Sequence, residues 1–467
     1  MKKIYLLLIL FLIPIKVYAE DASNISNGST YKINNSVVTK LSDNNFKTTV
    51  SVKPDQKLVI TSNNGKIAHV YIMYEIASKS GTLVTSDEEQ VLGSNGFLHE
   101  YIKLTVPNEE ITLSFNEEVK LSEISVYSEG DLPKDVQVWK KEEKTDLMIF
   151  STHADDEQLF FAGVMPTYIN KGKKVHVVYL ARHDIGSYYN PSRMHEQLNG
   201  LWALGVTDYP TFGLIPDAYS TTLEVAESQM KSAGFTDDDV IKFDVEQIRK
   251  YEPKVILGHD ENGEYGHGQH RLNTHTLKQA IQKAEDENYI TEGLKPVKIY
   301  KVYLHLYDPN NYTVLDYDIP LENYDNKTAY QVSKEGYAKH LSQQYTWFTN
   351  WLNGKNNSYT SAKQITKYNP MYWGLYYTSV GPDVNKNDLF ENIPEDKKEE
   401  KVIEEDTKEN KIKKVTEKKI SLLSKITKKF SNYINYIIGL IILICLLIML
   451  VMYNKKGKRR KKKKATK

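Results

Sequence analysis

Hydrophobic and polar positions alternate with a period of two from Glu20 to about Asp135. Val70-Tyr71-Ile72-Met73-Tyr74, Tyr101-Ile102-Lys103-Leu104-Thr105-Val106, Ile111-Thr112-Leu113-Ser114-Phe115 and Ile124-Ser125-Val126-Tyr127 are the clearest runs. Turn-forming stretches such as Ser62-Asn63-Asn64-Gly65 and Gly93-Ser94-Asn95-Gly96 separate them. Alternation punctuated in this way predicts an all-β domain over residues 20–135, most simply a sandwich.

After Lys144 the period changes. Leu147-Met148-Ile149-Phe150 is a short continuous apolar run, the mark of a parallel strand buried on both faces. A helical pattern follows over about Glu157–Asn170, then a strand at Val175–Leu180 and a helix over Ser192–Leu204. Further on come a helix near Asp239–Arg249, a strand at Val255–Leu257, a helix over about Leu272–Ala284 and a strand at Lys298–Leu304. Strand and helix in alternation predict an α/β fold, a Rossmann-like doubly wound and mostly parallel sheet, over residues 145–394.

The two ends read differently. Residues 1–19 have a charged start (Lys2, Lys3), an apolar stretch from Ile4 to Ile15 and the small-residue pattern Val17-Tyr18-Ala19, which together predict a signal peptide. Residues 395–432 begin as an almost pure run of Lys, Glu, Asp and Thr and read as a charged, solvated stalk. Residues 433–453 carry no charge and are long enough for a transmembrane helix, and the basic tail 454–467 is expected to stay cytoplasmic. The expected location is therefore the cell membrane, single-pass, with the folded body extracytoplasmic.

Composition sharpens this. Of 61 Lys and Arg, ten lie in Lys455–Lys467 and three in the leader, and neither stretch contains Asp or Glu. The remainder has 48 basic residues against 60 acidic ones, a net charge of −12, which argues against nucleic acid as a partner. The single cysteine, Cys445, excludes an internal disulfide. The 33 tyrosines suit carbohydrate faces, because the ring covers a sugar while the hydroxyl bonds to it, but they equally suit strand and helix packing.

The chemistry concentrates in two places. In an open α/β sheet, ligands bind beyond the carboxyl ends of strands. There, after Phe150-Ser151, stands His153-Ala154-Asp155-Asp156-Glu157 instead of a glycine-rich phosphate loop. His153 and Asp156, three apart in a turn that opens a helix, are placed to converge on one ion, and Asp155 points elsewhere. Three acids at a helix start also suit the helix dipole alone. The second cluster, Gly263-Glu264-Tyr265-Gly266-His267-Gly268-Gln269-His270, likewise follows a strand, and its two histidines three apart are suited to one pocket. Two such clusters, each just beyond a parallel strand, point to a metal-dependent hydrolase site.

A strand ending in H-x-D-D-E, an R-x-x-E helix (Arg193-Met194-His195-Glu196) and a later G-H-x-x-H resemble the PIG-L (LmbE-like) family of de-N-acetylases. The resemblance runs from about Thr145 to Pro394 and takes in Val380-Gly381-Pro382-Asp383-Val384; Ala154 stands where the family has proline. It implies that His153, Asp156 and His270 ligate one divalent metal, Zn2+ by default with Fe2+ suited to the same ligands. It further implies that Asp155 is the general base and that His267 stabilises the oxyanion or protonates the leaving amine. Arg193 is then a substrate contact, or alternatively an ion-pair partner of Glu196. Asp217, after Gly213-Leu214-Ile215-Pro216, is either a ligand for a sugar hydroxyl or a plain loop residue. Among the other histidines, His259 stands out because it closes the later strand.

These features lead to an expected membrane-anchored, extracytoplasmic deacetylase acting on N-acetylated amino sugars, of the N-acetylglucosamine type, in a cell-surface glycan. The alternatives are an amidase for another sugar-linked amide and a non-catalytic glycan-binding surface protein. The closing Leu121–Tyr127 run resembles the last strand of galactose-binding-like jelly rolls. The β-domain is accordingly either a glycan reader or a passive spacer. Trp347, Trp351 and Trp373, within the tyrosine-rich segment 310–392, would either roof a sugar pocket or fill a core.

Overall fold

The computed structural model describes residues 21–77 and 80–395. The leader, all but the first residue of the stalk, the apolar run 433–453 and the basic tail lie outside the described residues. Among those described, no helix is long and apolar enough to cross a membrane.

The period-two region forms ten strands: β1 (Ser29–Ile33), β2 (Ser36–Val37), β3 (Val50–Val52), β4 (Leu58–Ser62), β5 (Ile67–Tyr74), β6 (Gly81–Val84), β7 (Glu89–Leu92), β8 (His99–Asn108), β9 (Glu110–Phe115) and β10 (Val119–Tyr127). They assemble as a six-stranded sheet, β2-β1-β4-β9-β6-β7, and a four-stranded sheet, β3-β10-β5-β8. All of the paired strands are antiparallel. Leu58 and Ile60 of one sheet and Val70, Ile72, Ile124 and Val126 of the other are fully buried in one core, as alternation requires.

The second region contains β11 (Leu147–Ser151), α1 (Asp156–Leu159), α2 (Val164–Asn170), β12 (Val175–Tyr179), β13 (Ala181–Arg182), α3 (Ser192–Ala203) and β14 (Ile215–Pro216). It continues with α4 (Leu223–Ser232), α5 (Asp237–Tyr251), β15 (Val255–Gly258), α6 (Gly268–Glu285), β16 (Lys301–His305), β17 (Tyr312–Val314), α7 (Ala329–Tyr337), α8 (Trp347–Asn353) and β18 (Tyr372–Thr378). The main sheet runs β12-β11-β15-β16-β18-β17, and β13 pairs only with β14. Its first four strands are parallel and the β18–β17 edge is antiparallel. Both faces are covered, which is why β11 reads as continuously apolar. Leu147 and Ile149 pack towards α2, α3 and α7, while Met148 and Phe150 pack towards α5 and α6.

One predicted helix is broken. The stretch from Glu157 to Asn170 divides into α1 and α2, and Gly163, just before α2, lies against the ring of Tyr317. A Cβ at Gly163 would come within 2.3 Å of that ring. The Val380–Val384 motif gains a structural role. Asp383 accepts hydrogen bonds from Tyr303 Oη at 2.7 Å and Thr313 Oγ1 at 2.7 Å, and it pairs with the fully buried Lys301. Both carboxylate oxygens are thereby satisfied, as a buried charge requires.

The sandwich and the α/β region pack directly against each other. They share one continuous apolar core. Phe97 stacks on Tyr209 at 4.3 Å, and Leu98 N–H donates to Tyr209 Oη at 2.7 Å. His99 Nε2 and His195 Nδ1 form a buried hydrogen bond of 2.7 Å, and Gln137 Nε2 donates to Asn199 Oδ1 at 2.7 Å. The four-stranded sheet therefore braces α3.

Substituting Gly163→Ala should lower stability by roughly 1–3 kcal/mol, the usual cost of overpacking a close-packed contact. Thermal unfolding of the variant against the parent protein measures it, and an unchanged midpoint would contradict the close approach to Tyr317.

Candidate metal centre

The ends of β11, β15 and β16 converge, and each contributes a histidine or the loop that carries one. Asn273 of α6 donates through Nδ2 to Ser151 O (3.1 Å) and Thr152 Oγ1 (2.9 Å), which ties α6 to the end of β11. That tie brings His267 and His270, at the start of α6, against the His153–Glu157 turn.

Three atoms form a tight triangle. His153 Nδ1 lies 2.9 Å from Asp156 Oδ2, His270 Nε2 lies 3.0 Å from the same oxygen, and the two ring nitrogens are 3.3 Å apart. Ligands of one tetrahedral ion with bonds of ~2.0–2.1 Å stand ~3.3 Å apart, so the spacing fits a single divalent metal. Asp156 Oδ1 is buried and has no hydrogen-bond partner, which leaves a second carboxylate oxygen for an ion. Burial opposes charge on Asp156, yet His270 and His153 hold its carboxyl well below the usual carboxylate range. Burial likewise opposes charge on His270, but Asp156 and Glu264 raise its ring to about 10.

Neighbouring groups select the ligating nitrogens. His153 Nε2–H donates to Gln269 Oε1 at 2.8 Å, and the Gln269 amide is itself oriented by donating through Nε2 to Pro216 O at 3.1 Å. The lone pair of His153 is thereby left on Nδ1. For His270 the arrangement is reversed: Nδ1–H donates to Glu264 Oε2 at 2.7 Å and Nε2 is free to ligate. Hydrogen-bonded partners of this kind fix the ring orientation and raise the basicity of a ligating histidine.

Glu264 reaches further than one ligand. It also accepts from His259 Nδ1 at 2.9 Å and from His305 Nδ1 at 2.8 Å. Burial opposes its charge, but the three histidines, His259 foremost, hold it well below the carboxylate range.

Asp155 stays outside the triangle. Its Oδ2 lies 3.0 Å from Arg193 Nη2, and Arg193 also donates to Ala154 O. Burial pushes the Asp155 carboxyl up to about 6, with Arg193 pulling the other way. Its backbone N–H donates to Glu157 Oε2 at 3.0 Å, and Glu157 is paired with His340 at 2.6 Å. The alternative pairing of Arg193 with Glu196 is not formed. Glu196 instead accepts from Ser342 N and Oγ at 3.0 and 2.5 Å.

His267 caps α6, accepting at Nδ1 from Gln269 N–H at 3.2 Å, so its proton resides on Nε2. Burial, together with His153 and His270, lowers its ring to about 2, which keeps it neutral and a hydrogen-bond donor. Asp217 is part of the same cluster, with its carboxylate 3.6 Å from His153 Nε2 and 3.4 Å from His183 Nδ1.

All seven sequence-predicted residues, His153, Asp155, Asp156, Arg193, Asp217, His267 and His270, therefore lie together. Sequence reasoning gave no role to Glu264, Gln269 or Glu157, and it named His340 only as one of several histidines suited to a pocket or a supporting contact. Glu264 and Gln269 stood inside the second cluster and were legible as ionisable or polar neighbours of its histidines. His340 carried no local signal, because a long excursion through β16 and α7 brings it to Glu157.

Residues 148–281 match the family model described as PIG-L, GlcNAc-PI de-N-acetylase, and form a PIG-L family domain. The 1D-myo-inositol 2-acetamido-2-deoxy-alpha-D-glucopyranoside deacetylase 2 of Saccharopolyspora erythraea is 27% identical over 179 residues, 33% of this chain and 63% of the relative. A deacetylase of the same description from Catenulispora acidiphila is 24% identical over 175 residues, 34% of this chain and 54% of the relative. The matched part thus spans little more than half of these relatives. Among solved structures, the N,N'-diacetylchitobiose deacetylase of Pyrococcus horikoshii is similar over 50% of this chain and 84% of its own, at 15% identity and a TM-score of 0.35.

Replacing Gln269 with leucine removes the acceptor that orients His153. Zinc affinity, measured by competition with a chelator, should fall about 10–100-fold. Unchanged affinity would mean that His153 is oriented by other groups.

Proposed function

We propose that the protein is a metal-dependent hydrolase that removes acetyl groups from N-acetylated amino sugars, probed most simply as N-acetylglucosamine units of a surface glycan. The observation that carries this reading is the triangle of His153 Nδ1, Asp156 Oδ2 and His270 Nε2, with a separate carboxylate, Asp155, held beside it. Two imidazoles and one carboxylate leave positions open for water and substrate, as a catalytic rather than a structural site does.

His153, Asp156 and His270 would hold a divalent ion, which would supply a water made acidic, with a pKa near ~7, and polarise the amide carbonyl. Asp155 takes the proton of that water as the oxygen attacks the carbonyl carbon. His267, neutral and with its proton on Nε2, donates to the developing oxyanion. Asp155 returns the proton to the nitrogen as the C–N bond breaks, giving acetate and a free amine. Arg193 holds Asp155 in place and favours its ionised form, while Asp217 is in reach of a sugar hydroxyl at the same cluster.

The surroundings favour a sugar. Tyr219, 62% exposed, lies 5.2 Å from the His267 ring. Tyr265 lies 5.6 Å from His267 and 6.0 Å from Trp347, which is 53% exposed. Exposed aromatic rings near the reactive groups give a pyranose an apolar surface to lie against. The leader at 1–19 and the apolar run at 433–453 support an extracytoplasmic body on a single C-terminal anchor, with the basic tail inside.

The purified protein loaded with zinc should release acetate from N-acetylglucosamine oligomers, and Asp155→Asn should lower kcat by roughly 10²–10⁴-fold while retaining the metal. Acetate release at the parent rate by Asp155→Asn would overturn the role of Asp155; a metal-free protein that binds glycan would overturn the hydrolase reading. Arg193→Met removes the cation that favours ionised Asp155, so the acidic limb of the pH–rate profile should move to higher pH. A limb that stays in place would mean that Arg193 does not act on Asp155.

A further inference from the structure

A cavity of about 220 Å³ lies in the seam between the sandwich and the α/β region. Phe46, Thr49 and Glu75 border it from the sandwich, and Asn190, Ser192 and His195 border it from the start of α3. Its volume is below the ~300–1,000 Å³ of a site for a drug-sized ligand and suits one small, compact group. Lys47 and Glu75 are the charged residues of its wall, one of each sign, so the cavity favours neither an anion nor a cation.

His195 brings a defined acceptor to this cavity. Trp139 Nε1–H donates to Gln137 Oε1 at 2.9 Å, which marks that atom as the amide oxygen. His99 Nδ1, 2.8 Å from the same oxygen, must therefore carry its proton, and Tyr71 Oη lies 2.8 Å from this nitrogen as well. Burial, opposed by Gln137, lowers the His99 ring to about 4, so the ring is neutral and its Nε2 accepts. The donor to it, at 2.7 Å, is His195 Nδ1–H. Burial and the neighbouring His99 keep His195 neutral too, and its lone pair is left on Nε2. That nitrogen has no hydrogen-bond partner among the described residues, although His195 is only 1% exposed. Four linked groups thus fix a buried acceptor that no protein donor meets, and leaving it unmet costs free energy.

The rest of the wall suits a sugar. The Phe46 ring lies 5.2 Å from that of His195 and sets an apolar face beside the acceptor. Ser192 Oγ donates to Asn190 Oδ1 at 2.5 Å, which leaves the Asn190 amide nitrogen to donate. The loop that carries Phe46 is held in advance, because Asn44 N–H and Asn45 N–H both donate to Glu123 of β10, at 3.3 and 3.1 Å. The cavity is also tied to the metal centre. Asn190 N–H donates to His183 O at 2.6 Å, and the His183 ring stands 3.4 Å from Asp217. Ser192 immediately precedes Arg193, which touches Asp155.

We infer that this cavity is a subsite for a second sugar of the substrate chain, a neutral pyranose whose hydroxyl donates to His195 Nε2 and whose ring lies on Phe46. The inference rests on the deacetylase reading above and adds to it a part for the sandwich in choosing polymer over monosaccharide. A chain with one unit at Asp155 reaches the cavity around the start of α3, past the exposed Tyr188 and Tyr189.

Acetate release by the zinc-loaded full-length protein, with N-acetylglucosamine and with its tetramer, tests this. The ratio of kcat/KM for the tetramer to that for the monomer should fall roughly tenfold in Phe46→Ala and in Thr49→Trp, which fills the cavity without removing a ring. A general loss of folded protein lowers both rates and leaves the ratio alone, so a ratio unchanged in both variants would overturn the subsite. Calorimetric titration of zinc-loaded Asp155→Asn protein with the tetramer reads binding without turnover. Adding Thr49→Trp should weaken that binding roughly tenfold, and equal binding with and without it would overturn the inference. If the tetramer binds in this way and the parent protein releases no acetate, the proposed function falls and the cavity stands as a glycan site. Neither binding nor acetate release would overturn both.

Discussion

Glu264 is the group around which the centre is built. One fully buried carboxylate accepts from three imidazoles, on the loop after β15, on α6 and on β16. Burial by itself would neutralise the carboxyl, and the three donors are what keep it charged. The dependence is mutual, because each ring is oriented in part by what it donates to. Helix and strand packing brings these backbones within reach, and this one charge fixes the ring angles.

Around this anchor, polar contacts divide the labour between two neighbouring acids. Asp156 faces His153 and His270 and stays ionised, while Asp155, the adjacent residue in the chain, faces Arg193 and is pushed up to about 6. Adjacent carboxylates with different surroundings serve different purposes, one as a ligand and one as a proton carrier. The turn between β11 and α1 makes this possible, since it sends consecutive side chains in different directions. Glu157, third in the run, is withdrawn into a pair with His340 and braces the Asp155 backbone.

Much of this was legible in the chain. The switch from period two to continuous apolar runs marks the boundary between sandwich and α/β sheet, because parallel strands are buried on both faces. The two His-containing clusters were visible because each follows a strand of that sheet at once. What local patterning did not carry was contact across distance. The requirement for glycine at 163 comes from Tyr317, 154 positions away in the numbering. Similarly, the pairing of Arg193 with Asp155 rather than Glu196 depends on Ser342 occupying Glu196. Helical spacing alone permits both pairings, and only the fold chooses.

The hydrogen bond between His99 and His195 sets a limit on how this protein can be varied. Arg193 and His195 are two positions apart on α3, so they look to nearly opposite sides of that helix. One touches the carboxylate beside the metal centre, the other a strand of the sandwich. The face of the four-stranded sheet that carries His99 is therefore fixed by the geometry of a helix it shares with the centre. A module free to change its ligand preference by surface drift would have to do so on its outer edges and loops, because altering the wall behind α3 also alters the seat of Arg193.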